Sequence, residues 1–263
     1  MNNPGFFAGT PLSVLFVLTI GFVIVAIGGG FLLGGRLRSR QGGTESIGSA
    51  VGATLGLLAF MLGFAFSMAA NRLDARKQLF LEEVNAIETA SLRAGLLAEP
   101  YTARIRDLLR EYVDVRVDAM ADAEKLAAGI ARSGEIHAAL WRLVEQKVAE
   151  APPTITDSLF IQSLNEVIDL HSERVVVGMQ YRIPATIWVG LYSVAALAML
   201  MVGMQFGLTD QRQPLVVFAL ALTFSAVIIL IMDLDRAGGG TIRVDQQPLL
   251  ELQQRLNAPG PAP

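Results

Sequence analysis

Four apolar stretches, two near each end of the chain, flank a charged middle of about a hundred residues. They run roughly over 12–33, 47–68, 187–204 and 215–232, and none holds Asp, Glu, Lys or Arg. A hydrocarbon core of about 30 Å takes about 20 residues of helix, because every backbone N–H and C=O must be satisfied inside the segment. The pattern therefore predicts a polytopic membrane protein with two transmembrane hairpins. Pro11 suits the first turn of the first span, where a missing N–H is harmless. Gly34-Gly35 closes that span, and the polar loop 41–45 is short enough only for an antiparallel neighbour. The leader, 1–10, has no Lys or Arg, and the first apolar run leads into Arg36, Arg38 and Arg40 rather than a small-x-small cleavage site. This favours a retained helix over a secretion signal.

The second span has no stop signal where its apolar run ends. Leu73, Leu79, Phe80, Val84, Ile87, Leu92 and Leu96 continue at spacings near three and four up to Gly95 and the Glu99-Pro100 break. This predicts one helix of roughly fifty residues that leaves the bilayer as a stalk. Residues 101–132 read as a helix with Leu108, Leu109, Tyr112, Val113 and Val117 on its apolar side, broken at Ser133-Gly134. A third helix, 135–150, carries Ile136, Leu140, Leu143, Val144 and Val148 and stops at Pro152-Pro153. Thr154–Asp157 reads as the cap of a last polar helix, 157–182, which runs towards Pro184. A turn at 207–213, closed by Pro214, joins the third and fourth spans. In the tail, Leu249, Leu250, Leu252 and Leu256 suggest a short docking helix before a frayed end at 257–263. No stretch alternates with period two, so the fold is all α. The expected divisions are an N-terminal hairpin at 1–69, a helical polar domain with long stalk helices at 70–183, a C-terminal hairpin at 184–232 and a tail at 233–263.

Composition narrows the function more than it defines it. The 263 residues have a net charge of −3, which argues against nucleic acid, whose binding demands a basic face. The absence of Cys excludes disulfides, thiolate catalysis and Cys-based metal sites. The two histidines, His137 and His171, sit far apart in polar helical sequence. An even number of spans puts both termini and the polar domain on one side. That side carries Arg72, Arg76, Lys77, Arg174, Arg182, Arg236 and Arg243 near the membrane, against Arg36, Arg38, Arg40 and Arg212 in the opposite loops. The count favours a cytoplasmic domain of a bacterial inner-membrane protein, although the first helix alone points the other way.

Gly48, Gly52 and Gly56 form overlapping G-x-x-x-G steps, extended by Ala59, Gly63 and Ser67. Such a face lets another backbone approach closely. It serves either a helix–helix contact within one subunit or a permeation path or subunit interface, with Phe60 and Phe64 as constrictions that gate by dewetting. The spans carry no Asp, Glu, Lys, Arg or His, which disfavours proton-driven motors and carriers. Anions are less affected, because backbone N–H groups, hydroxyls and aromatic edges serve them without formal charge. Asp233, Asp235 and Arg236 leave the fourth span at the depth where Arg72 and Arg76 leave the second, which suggests an ion-paired clasp or an ion-binding vestibule. Glu83 and Asn85, between Glu82 and Glu88 on the stalk, read as a solvated face or as inter-helix hydrogen bonds. One helix face cannot gather the six or so oxygens a divalent cation wants. No nucleophile elbow, phosphate loop or zinc signature is present, so no catalytic residue, metal ligand or cofactor is expected.

Two segments are familiar as a pair. Residues 55–97 carry an L-G-L-L-A-F entry and an E-x-N-A-I centre, and 230–252 carry D-L-D-R followed by V-x-Q-Q-P-L. With the two-plus-two layout they resemble the bacterial membrane family labelled bestrophin-like, over most of the chain. A proline commonly follows the arginine in that family, and Ala237 stands here instead. The resemblance implies kinship with bestrophins: pentameric anion channels with a helical cytosolic region and a pore lined by the second helix. No acidic calcium clasp matching the animal proteins is found. Two readings follow. One is a homo-oligomeric, anion-conducting channel in the lipid bilayer. The other is a non-conducting scaffold or sensor that recruits a protein partner through its helical domain.

Overall fold

The computed structural model describes residues 9–41, 47–121, 123–179, 181–210, 213–236 and 240–258. Outside them lie the leader up to residue 8, most of the loop expected at 41–45, 211–212 of the expected turn, 237–239 with Ala237, and 259–263 of the expected frayed end. The elements are eight helices: α1 (Leu12–Gln41), α2 (Gly48–Ala94), α3 (Tyr101–Ala121), α4 (Ala123–Glu150), α5 (Ile155–Met179), α6 (Ala185–Thr209), α7 (Pro214–Asp235) and α8 (Gln247–Asn257). No strand occurs among the described residues. α1, α2, α6 and α7 are long and apolar enough to cross a membrane. α2 is one helix of 47 residues, about 70 Å at 1.5 Å per residue.

The chain divides into two compact units, Met1–Leu73 with Tyr181–Ile242, and Asp74–Gln180 with Arg243–Pro263. In the first, α1 packs along α6 and α7. The α1–α6 seam is built from glycines four residues apart on each helix. A Cβ on Gly30 would collide with the Leu200 carbonyl, and one on Gly34 with that of Met204. In return, a Cβ on Gly203 would strike the Ile27 carbonyl, and one on Gly207 that of Phe31. Lipid tails are as apolar as the side chains, so spans associate through close van der Waals contact, and bare Cα atoms permit it. Gln205 of α6 also accepts the Ile47 N–H, just before α2, at 3.0 Å. Pro214 opens α7 at its first turn.

The second unit surrounds one apolar core. Phe80, Val84 and Ile87 of α2 meet Ile105, Leu109 and Tyr112 of α3, Ile136 and Leu140 of α4, and Phe160 and Leu164 of α5. α8 docks on it through Leu249 and Leu252, both buried. α5 begins with a capping box. Thr154 Oγ1 accepts the Asp157 N–H at 3.2 Å, and Asp157 Oδ2 accepts the Thr154 N–H at 2.8 Å.

Several boundaries differ from the sequence reading. α1 runs on past Gly34-Gly35 to Gln41, where Gly34 serves the seam with α6 instead of ending the helix. The stretch expected as one helix over 101–132 is divided between α3, which ends at Ala121, and α4. Ser133-Gly134 does not break a helix: α4 runs through it. Ser133 is fully buried and its hydroxyl donates to the Gly129 carbonyl at 2.7 Å, so tertiary packing overrides the local preference for a turn. α7 continues past its apolar run through Asp233 and Asp235, because both carboxylates find partners at the helix end, as described below.

Candidate functional site

The small-residue face of α2 lies open. Gly48, Gly52, Gly56, Ala59, Phe60, Gly63, Phe64 and Ser67 are all exposed. A Cβ on Gly52, Gly56 or Gly63 would meet nothing within 4 Å. At 3.6 residues per turn the small residues lie about a third of a turn round from the stripe that α2 buries, Leu58, Ala65, Ala69 and Leu73, and Phe60 stands roughly opposite that stripe. Only 11% of the most apolar window of α2 is buried, against 39% for α6. The contact within one subunit considered for these glycines is therefore not made by Gly52, Gly56 or Gly63. Gly30, Gly34, Gly203 and Gly207 make it instead. Sequence reading missed that seam, although Gly30-x-x-x-Gly34 and Gly203-x-x-x-Gly207 were there to be found. Phe60 and Phe64 stand out from the open face at 73% and 57% exposure.

The residues at the end of α7 form a dense set of contacts within the first unit. Asp235 accepts the Ile183 N–H with both oxygens, at 3.0 and 3.2 Å, and lies 3.3 Å from Arg72 Nη1. Asp233 accepts the Thr241 N–H at 2.7 Å and the Ile242 N–H at 3.3 Å, and takes the Thr241 hydroxyl as well. Gly240 is required there, since a Cβ would strike the Asp233 carboxylate. Arg236 Nη2 donates to the Thr10 carbonyl at 2.6 Å. Arg72 and Asp235 are thus brought together, while Asp233 and Arg236 hold backbone on either side. Arg76 belongs to the second unit.

Glu83 has the opposite fate to Asn85. Asn85 is exposed, whereas Glu83 is 1% exposed and is the hub of a polar layer inside the second unit. Tyr112 donates its hydroxyl to Glu83 Oε1 at 2.5 Å. Arg116 Nη2 lies 3.4 Å from Glu83 Oε2, and Arg174 pairs with the same oxygen while covering the Phe80 ring at 4.9 Å. His171 Nδ1 is 3.0 Å from the Tyr112 oxygen. That hydroxyl gives its one proton to Glu83, so His171 must donate from Nδ1. The rings of His137 and His171 are 5.0 Å apart, edge to face. Burial pushes the Tyr112 phenol upwards and the Arg174 guanidinium down to about 10, leaving the latter a cation at neutral pH. No group of three or more His, Asp or Glu able to hold a metal occurs among the described residues.

Four apolar spans, a seam of glycines and a separate polar helical unit define an integral membrane protein of all-α architecture. A family model described as bestrophin-like domain matches residues 15–249, and the chain belongs to that family. No curated protein matches it. Among solved structures, a bacterial bestrophin homologue from Klebsiella pneumoniae, phased by Zn-SAD, is 17% identical with a TM-score of 0.66, covering 94% of this chain and 97% of that one. A point variant of a protein described only as a membrane protein is also 17% identical, with a TM-score of 0.68 over 96% and 98% of the two chains. A point variant of the Klebsiella pneumoniae homologue gives 16% and 0.63 over 93% and 98%. At these identities the likeness is one of fold.

Proposed function

We propose that the chain assembles with copies of itself into an anion-conducting channel, a pentamer by analogy with bestrophins, with α2 lining the pore. The observation that carries this reading is the open face of α2. Glycine adds almost nothing to a lipid contact, yet it allows a second backbone or a column of water to come close. Gly48, Gly52, Gly56, Ala59, Gly63 and Ser67 form that wall, and Phe60 and Phe64 supply its apolar constriction. Spans without charged side chains suit passive passage better than proton-coupled transport. The Arg72–Asp235 pair and the Asp233 and Arg236 contacts fix the ends of the spans, so that α2 keeps its register. Near-membrane Lys and Arg put the termini and the helical domain, 70–183, in the cytoplasm, with the bacterial inner membrane as the site.

The test combines particle mass with flux. Native mass spectrometry of the detergent-purified protein is expected to give a discrete ring-sized oligomer. Chloride flux in liposomes is expected to change in both Gly56→Leu and Phe60→Ala. A monomer or dimer leaves no room for a central pore, and unchanged flux in both variants removes α2 as its wall. Either result turns attention to a scaffold whose helical domain recruits a partner.

A further inference from the structure

We propose that the buried layer of Glu83, Tyr112, Arg116, His137, His171 and Arg174 is a proton-operated latch, which ties α2, α3, α4 and α5 together at neutral pH and releases them on acidification. The inference is independent of conduction.

Four of the core helices contribute to the layer. α2 supplies Glu83, α3 supplies Tyr112 and Arg116, α4 supplies His137, and α5 supplies His171 and Arg174. With neutral imidazoles the layer holds one carboxylate and two guanidiniums, so the charge on Glu83 is already fully engaged. A proton on either histidine adds a third cation beside Arg116 and Arg174 with no second anion to meet it. Glu83 Oε1 is 3.7 Å from His171 Nδ1, which taken alone would favour an imidazolium. That oxygen, however, already accepts from Tyr112, and the other oxygen is shared by two arginines. His137 is worse placed, since its Nε2 is buried without a hydrogen-bond partner among the described residues.

Electrostatics agree with the geometry. Burial, then His171 and Arg116, hold His137 down at about 4. Burial, then Arg116, hold His171 down at about 4. Released from the layer, each imidazole regains a pKa of about 6.5. The native state therefore refuses protons that the opened state accepts. Packing is at full strength above about pH 6.5, weakens as pH falls towards 4, and loses nothing further below that.

Hydrogen–deuterium exchange of the full-length protein in detergent, rescaled for intrinsic exchange, tests this between pH 7 and pH 5. Protection of α3, α4 and α5 is expected to fall roughly 500-fold, the ratio set by two imidazoles released from about 4 to about 6.5. In the double variant His137→Gln/His171→Gln the drop is expected to vanish. Should that variant fail to fold, His137→Gln alone is expected to remove about twentyfold of the drop, since it deletes one of the two titrations. Flat protection of the wild-type protein from pH 7 to pH 5, or an equal drop in wild type and His137→Gln, would overturn the latch.

Discussion

Gly203 of α6 rests directly on the Ile27 carbonyl of α1, and no Cβ fits between them. The neighbour is backbone, which cannot swing aside as the end of a flexible side chain would. Gly203→Ala is therefore expected to cost about 1–3 kcal/mol, the usual penalty of overpacking. Gly56→Ala, on the open face of α2, is expected to change the fold of the subunit by less than about 0.5 kcal/mol. Thermal unfolding in detergent, followed by near-UV circular dichroism, compares the two. Equal losses would mean that the α1–α6 seam is no tighter than the open face.

Glu83→Gln removes the only carboxylate of the buried layer and leaves Arg116 and Arg174 facing each other without an anion. Breaking such a pair costs about 3–5 kcal/mol, because the stranded charges stay desolvated. Arg132 makes a fair contrast: it bonds Glu111 and Glu135 at the exposed surface, with Nε at 2.9 Å from Glu111 Oε1. Arg132→Gln is expected to cost far less than Glu83→Gln, because water screens both of its partners. Denaturant titration of the two variants under identical conditions measures the difference.

The membrane spans and the continuity of α2 were legible because both rest on patterns within the chain: charge-free apolar runs, and an apolar stripe from Leu73 onwards with no breaker. The α8 docking helix was legible for the same reason, in Leu249 and Leu252. What stayed hidden depends on partners distant in sequence. Glu83 and Asn85 look alike on the stalk, yet one is buried and one exposed, and only the packing of α3 and α5 separates them. His137 and His171 gave no sign of meeting across Tyr112. Ser133-Gly134 carries a local turn signal that burial outweighs. The α1–α6 glycines were visible, but nothing in one helix says which glycines a neighbour will use.

Asp157 offers a pH prediction of opposite sign to the histidines. Burial works to raise its pKa, but the Lys147 ammonium at 2.5 Å, with the Thr154 N–H and hydroxyl, outweighs burial and holds the carboxyl below its usual range. Its folded pKa lies below the unfolded one, so its contribution is complete above about pH 4 and is lost as pH falls through the folded value. Asp157→Asn removes the ion pair and weakens the cap of α5, and is expected to cost about 1–2 kcal/mol at pH 7. As the pH is lowered through the folded value, the wild-type carboxyl takes up its proton and variant and wild type should converge. Stability curves of both proteins from pH 7 downwards decide it.

Asp235 and Arg72 form one pair, but the two sides are not equivalent. Asp235 also takes the Ile183 N–H with both oxygens, at the residue that leads into Pro184 and α6. Asp235→Ala therefore strands a buried backbone donor together with the Arg72 guanidinium, and is expected to cost about 2–4 kcal/mol. Arg72→Ala leaves the Asp235–Ile183 bonds in place and is expected to cost about half as much. Asp235→Asn keeps one acceptor for the N–H while abolishing the charge, so it should fall between them. Thermal unfolding of the three variants in detergent tests that order. A larger loss in Arg72→Ala than in Asp235→Ala would mean that the ion pair, and not the carboxylate's hold on the start of α6, secures this end of the spans.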